Sequence, residues 1–522
     1  MKKISRRSII KLGSAAIFTV GLTSIPTAEQ TFRIRTRPSV NLNQIGPIEE
    51  GPTVNVTTAA GFQAALDAIT GPCVIRLAPG TYVGNFILKN KTIDSDSWVI
   101  IRADTADANL TPSSKPWVLP AQATNMAKLQ ALDTLLPALD CEDGAHGYWL
   151  CGIEFLPNTA NPDRDLCMLG RGDMTNINQM PDRITFQSCY FHADPNLGGH
   201  RGLLFNVSNG IVRESYFSHF WETGRDSQAI VCVNGAGPIS ILNNYLSASG
   251  ENVMFGGGDP SITNQVPSNI TVRGNHFYKD PAWVAHAGSV KNIFELKNAA
   301  VVLVENNVFE NCWIDAQSGH AIVFTVRNQD GGANWTVVRD VTFRYNIIKN
   351  VEGAAFNLLG KDDINTSVQG TNMSISNNLC LDCAYGFNLN NCYRPVEIRH
   401  NTFPTLGGRF MYWIGETMPS GNLICKDNVV GASEYGIIAD GYSTPIPTLE
   451  NWAPGYDFTS NVIEHGLFEL TYPASNAMKA NGALAVLLTA SKAYTGGEAA
   501  SDSGARGADI AALQLRIPWF TW

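Results

Sequence analysis

The sequence predicts an all-β solenoid, a parallel β-helix of about ten or more coils. Three observations carry this. One short pattern recurs through the middle of the chain. Apolar residues alternate within each copy, as on a strand. The composition combines 47 glycines with only 16% charged residues, which suits many short strands joined by tight turns.

The pattern reads apolar, any, apolar, polar, polar, Asn, then an apolar or aromatic pair. It appears as Ile239-Ser240-Ile241-Leu242-Asn243-Asn244-Tyr245-Leu246 and as Val302-Leu303-Val304-Glu305-Asn306-Asn307-Val308-Phe309. Further copies centre on Asn275, Asn346, Asn378, Asn401, Asn428 and Asn461, and Cys189 and Ser215 take the Asn position in two earlier ones. Successive asparagines are 31, 32, 39, 32, 23, 27 and 33 residues apart. A self-similar period of this size means stacked units that share one core. Leucine-rich repeats are the nearest rival, but their Leu framework is missing. Asn at a fixed place after a strand suits a turn with a left-handed backbone and a side-chain hydrogen bond. Stacked copies would form an amide ladder.

The ends differ from the middle. Lys2, Lys3 and Ser5-Arg6-Arg7-Ser8 precede an apolar run from Leu12 to Ile25, so residues 1–28 read as a twin-arginine (Tat-like) bacterial signal peptide. This expects the Tat export machinery as a partner and a periplasmic or secreted protein. The cleavage site is weak, which leaves an uncleaved membrane anchor open; no other stretch could span a membrane. Residues 29–53 read as a linker, 54–475 as the solenoid and 476–522 as a C-terminal capping segment. Removing the five positive charges of the first 28 residues takes the net charge from -9 to -14, the opposite of a general nucleic-acid binder. Several of the eleven cysteines lie inside apolar strand-like runs and read as small buried hydrophobes. Cys380, Cys383 and Cys392 lack a fourth zinc ligand at the usual spacing.

The Asn turns resemble those of the pectate-lyase-like right-handed parallel β-helix superfamily. So does the opening Ala60-Gly61-Phe62-Gln63-Ala64-Ala65-Leu66, followed by Val74-Ile75-Arg76-Leu77-Ala78-Pro79-Gly80-Thr81-Tyr82. The resemblance covers about residues 54 to 470. It implies a short capping helix on the first coil and a polysaccharide ligand. Activity does not follow from it, because the superfamily includes lyases, glycosidases, esterases, tailspikes and adhesins.

A second strand series lies between the Asn turns. Aligning Ile293-Phe294-Glu295-Leu296-Lys297 with Val323-Phe324-Thr325-Val326-Arg327 places Phe294, Phe324, Phe356, Phe387, Met411 and Ile437 inward. By alternation Glu295, Thr325, Asn357, Asn388 and Tyr412 form one outward row. Lys297, Arg327, Leu359, Asn390 and Asp440 form a second. Two cations on adjacent rungs repel, and an anion between them would relieve the cost. The plainer alternatives are that both are solvated, or that Glu295 neutralises Lys297.

Two chemistries compete. β-Elimination of a uronate needs a base for the C5 proton and positive charge on the carboxylate. It would use Lys297 as base and Arg327 as stabiliser, with Glu295, Asn357, Asn388 and Tyr412 binding sugar. Superfamily lyases often add Ca²⁺, for which Glu251, Asp259 and Asp330 are the loop candidates. Glycoside hydrolysis needs two carboxyl groups, and only Asp362-Asp363 echoes the polygalacturonase-like motifs. The expectation is therefore a polysaccharide lyase, with a glycoside hydrolase or a non-catalytic carbohydrate-binding, adhesin or tailspike-like protein as alternatives.

Overall fold

The computed structural model describes residues 46–111, 114–161, 165–285, 288–466, 470–484, 500–502 and 506–521. The signal-peptide reading of 1–28 and most of the linker lie outside the described residues. From Thr53 onward the chain winds through three parallel stacks, which we call sheets A, B and C. Among the described residues sheet A has 14 strands, each paired to the next of its strands in chain order, from Thr53–Val56 to Asp457–Thr459. Sheet B runs from Gly80–Val83 through His276–Tyr278 and Val308–Cys312 to Ala477–Lys479. Sheet C runs from Phe86–Leu88 through Phe294–Leu296 and Ile322–Thr325 to Gly436–Ala439. Ile347–Leu359 and Leu379–Asn390 bend through both B and C. A coil that visits A, B and C in turn, with every strand pairing parallel, is a parallel β-helix.

Aromatic residues stack along the interior. Phe155, Phe191 and Phe217 follow one another at ring-centroid distances of 4.5 and 4.3 Å, and Phe356 and Phe387 lie 4.9 Å apart. The first helix, Ala59–Asp67, starts on Thr58, whose hydroxyl accepts the Gly61 N–H. It buries Phe62 and Leu66, with Phe62 against Phe86. All eleven cysteines are buried thiols; burial is the main cause that raises their pKa values, to about 12 for Cys232 and Cys312.

The amide ladder forms where sheet A turns into sheet B. Asn244 Nδ2 donates to Asn275 Oδ1 at 2.9 Å, Asn275 to Asn307 at 2.9 Å, Asn307 to Asn346 at 3.0 Å, and Asn346 to Asn378 at 3.1 Å. It continues through Asn401, Asn428 and Asn461 to Asn476. Each oxygen also accepts the backbone N–H of the preceding ladder residue. One detail corrects the sequence reading. The left-handed residue is not the ladder Asn but the one before it: Asn243, Gly274, Asn306, Tyr345, Asn377, His400, Asp427 and Ser460 all have φ between 52° and 71°. The ladder position selects Asn for an amide that is donor and acceptor at once.

The C-terminal segment also departs from a simple cap. Ala477–Lys479 adds a last strand to sheet B, so the stack passes the expected boundary at 475. The helix Ile510–Arg516 then lies on the outer face of sheet B, where Leu513 and Ile510 pack with Val308, Ile347 and Leu379. Trp519 reaches Trp117, with ring centroids 4.7 Å apart. An outward apolar row on B needs cover just as a terminal coil does.

Candidate functional site on the flank of sheet C

The outward residues of sheet C change character along the stack. Leu204, Val231 and Met254 form a buried apolar cluster. The next residues in the row are Glu295, Val323, Asn357, Asn388 and Tyr412. Glu295, Asn357, Asn388 and Tyr412 thus share one row. Val323 stands in it where Thr325 was expected, because Phe294 pairs with Ile322 and Leu296 with Phe324. The register is displaced by two residues. Ile322, Phe324 and Val326 are all apolar, so alternation cannot distinguish registers two apart, and such a slip leaves every side chain on its expected face. Beyond the strands the chains draw level again: the Arg327 N–H donates to the Lys297 carbonyl at 3.1 Å.

Each expected cation has a carboxylate partner. Lys297 Nζ lies 3.8 Å from Glu295 Oε1. Arg327 Nη1 donates to Asp362 at 3.0 Å and also meets Asp363. Of the arrangements the sequence left open, the structure contains the one in which Glu295 neutralises Lys297, and Arg327 is paired as well. Burial pushes the Asp362 carboxyl up, but it is outweighed by N–H donors of Ile364, Asn328 and Asn365 and by Arg327, so the group stays below its usual range. Glu295 behaves oppositely. Burial raises its carboxyl to about 7, Lys297 pulls it down, and Glu251 pushes it up again.

Glu251 is fully buried one coil earlier. Its Oε2 accepts from Gln228 Nε2 at 2.7 Å, and its Oε1 lies 3.8 Å from Lys291. Gln228 in turn accepts from Arg201 at 2.7 Å. The bend that delivers Glu251 is tied by Lys279, a buried ammonium that donates to the carbonyls of Ala248 and Ser249 and to Asn252 Oδ1 at 2.8–3.1 Å. The expected metal set does not converge. Asp259 uses both oxygens on the loop beyond Arg327, accepting from Asp330 N at 3.2 Å and Gly332 N at 2.7 Å. Among the described residues, only His400, Asp427 and Asp502 bring three ligand atoms together, and they lie on the Asn-turn side. Asp259, read from the sequence as a ligand, is here a turn anchor.

Sequence reasoning missed two residues of this flank. His320 Nε2 lies 3.2 Å from Asn388 Nδ2, and its Nδ1 accepts from Ala354 N at 2.9 Å. Arg409 donates to Asn388 Oδ1 at 3.2 Å. His320 precedes the strand Ile322–Thr325, and Arg409 lies within Leu406–Ile414 but ahead of the aligned residues, beyond a register shift. Tyr412 is held through its hydroxyl, which donates to Asp440 at 2.7 Å.

No family model matches the sequence, and no curated protein does. Among solved structures, the chain is similar to the PL6 family alginate lyase AlyGC at 13% identity and a TM-score of 0.52, over 82% of this chain and 53% of that one. It therefore spans about half of the AlyGC chain. An alginate lyase from Paenibacillus sp. str. FPU-7 matches at 14% identity and a TM-score of 0.41, over 64% of this chain and 94% of that one. PfbA, a surface adhesin of Streptococcus pneumoniae, matches at 11% identity and a TM-score of 0.45, over 78% and 86%. At such identities the likeness is one of fold, the right-handed parallel β-helix.

Proposed function

We propose that this protein acts on an acidic polysaccharide laid along the flank of sheet C, and that it cleaves a uronate linkage by β-elimination. The observation that carries the reading is the pair of half-buried Lys297 with buried Glu295, in an outward row that continues as Asn357, Asn388 and Tyr412. A like-folded neighbour is named as an alginate lyase, which agrees with it. Lys297 is the residue assigned to take the proton next to the uronate carboxylate. Glu295, with a carboxyl raised to about 7, is the adjacent group able to hold a proton near neutrality. Arg327 offers a permanent positive charge to the uronate carboxylate, in competition with Asp362 and Asp363. The amides of Asn357 and Asn388 and the Tyr412 hydroxyl bind sugar hydroxyls.

Of the metal candidates, Glu251 fits best. Glu251 Oε1 and Glu295 Oε2 are both buried without a hydrogen-bond partner, and Ca²⁺ held by them would supply further charge against the substrate carboxylate. Export by the Tat route to the periplasm or beyond, carried by Arg6 and Arg7, is part of the same proposal. It is tested by fractionation of the Arg6→Lys, Arg7→Lys double variant. No helix among the described residues is long and apolar enough to cross a membrane.

One observation favours hydrolysis as a second reading: a carboxyl raised to about 7 is also a competent general acid. A panel of polyuronates and neutral glucans decides. Ultraviolet absorbance of an unsaturated product with new reducing ends means elimination, and reducing ends alone mean hydrolysis. Retention on a glycan without cleavage would leave a binding protein.

A further inference from the structure

Arg409 lies on the strand Leu406–Ile414, four strands along sheet C from Phe294–Leu296, about 19 Å at the usual strand spacing. Its guanidinium carbon lies 4.2 Å from the ring centre of Tyr385 and 4.6 Å from that of Tyr412. Both rings are partly exposed, and so is Arg409. Stacking of this kind fixes the plane of the guanidinium without consuming its donors. Its Nε is buried and has no hydrogen-bond partner. Its side-chain bond within the described residues is the one to Asn388 Oδ1, at 3.2 Å.

That bond is contested. Burial, with Arg409 nearby, pushes the His320 ring down to about 4, so the imidazole is neutral near pH 7. Its Nδ1 already accepts the Ala354 N–H, which puts the ring proton on Nε2, facing the Asn388 Nδ2 at 3.2 Å. Two donors then face each other. Turning the amide would satisfy His320 but set an NH₂ against the guanidinium. One amide oxygen serves two donors, and an outside acceptor on Arg409 would release it to His320.

We propose that Arg409, clamped between Tyr385 and Tyr412, is a distal subsite for a carboxylate of the same acidic glycan, several sugar units from the bond held at Lys297. The inference rests on the polyuronate reading above. It makes affinity grow with chain length, because only a longer oligomer reaches from Lys297 to Arg409.

Binding of oligomannuronate and oligogalacturonate, three and six residues long, is measured by calorimetry in the Lys297→Ala background, together with a hexamer whose carboxylates are reduced to alcohols. Arg409→Met is expected to cut the hexamer-over-trimer gain in affinity at least tenfold and to leave the reduced hexamer unchanged. A retained gain, an equal loss for the reduced hexamer, or no binding of either oligouronate overturns the proposal. Should Arg409→Met fail to fold, Arg409→Lys keeps the charge without the planar fork. It is expected to lose at least threefold of the gain, and no loss overturns the proposal. Arg409-dependent binding without turnover by the unmodified protein sinks the lyase reading and leaves the subsite standing. Turnover with Arg409-independent binding does the reverse.

Discussion

The Lys297 ammonium lies 3.8 Å from the Glu295 carboxylate, and this pair is set into the wall of the solenoid with side-chain exposures of 17% and 4%. Such burial costs more for the acid, which is nearly enclosed, than for the lysine. The raised carboxyl of Glu295 is the consequence.

A pH dependence of stability follows. The folded Glu295 carboxyl, at about 7, lies above its unfolded value, so the folded state holds the proton more tightly. The stabilisation is full below the unfolded pKa and is lost as pH rises through about 7. Glu295→Gln should therefore lose less stability than the unmodified protein between about pH 5 and about pH 8, on the order of 2–3 kcal/mol at most. Denaturant melts at the two pH values read this directly, and parallel curves would remove Glu295 as the titrating group.

Lys297→Ala and Arg327→Ala should differ in kind. Loss of the base is expected to lower turnover of a cleaved polyuronate by about 10²–10⁴-fold with the fold intact. Arg327→Ala should lower turnover by about 10²–10³-fold. It should also weaken the protein, because Asp362, with a side chain only 1% exposed, loses its cation. Turnover at the parent rate in a folded Lys297→Ala would end the elimination mechanism.

The amide ladder should be sensitive at its interior. In Asn307→Leu, Asn275 loses the acceptor of its N–H and one of the two acceptors of its Nδ2, and Asn346 Oδ1 loses one donor. Each group left unpaired costs about 1–3 kcal/mol. A neutral replacement, measured by chemical denaturation, would contradict the ladder.

Asp259→Ala is expected to loosen the loop around 330–332 and to cost about 1–2 kcal/mol for the backbone donors it leaves. The loss should be the same in calcium and in chelator. A loss confined to calcium would return Asp259 to the metal set.

Leu513→Ala removes a fully buried side chain from the contact with Val308, Ile347 and Leu379. The expected cost is about 2–5 kcal/mol if the helix Ile510–Arg516 unfolds together with the solenoid. If it opens alone, limited proteolysis should cut after 506 while the main transition is unchanged.

The fold, the coil spacing and the face on which the aligned strand residues lie were legible in the chain alone. These follow from local periodicities: Asn after the A strands from Ile239–Leu242 onward, and apolar residues at every second position. The alternation therefore placed Glu295, Asn357, Asn388 and Tyr412 in one outward row. Which residues meet across coils is visible only in the folded solenoid. The number of residues between one strand and the next varies from coil to coil, so the pairing of Glu295 with Val323 depends on loop paths that alternation does not encode. The same holds for Arg327 with Asp362, for Asp259 with the turn at 330–332, and for Arg409 between Tyr385 and Tyr412. Charge partners are chosen by three-dimensional proximity within a few ångströms, and in a solenoid that proximity joins residues tens of positions apart.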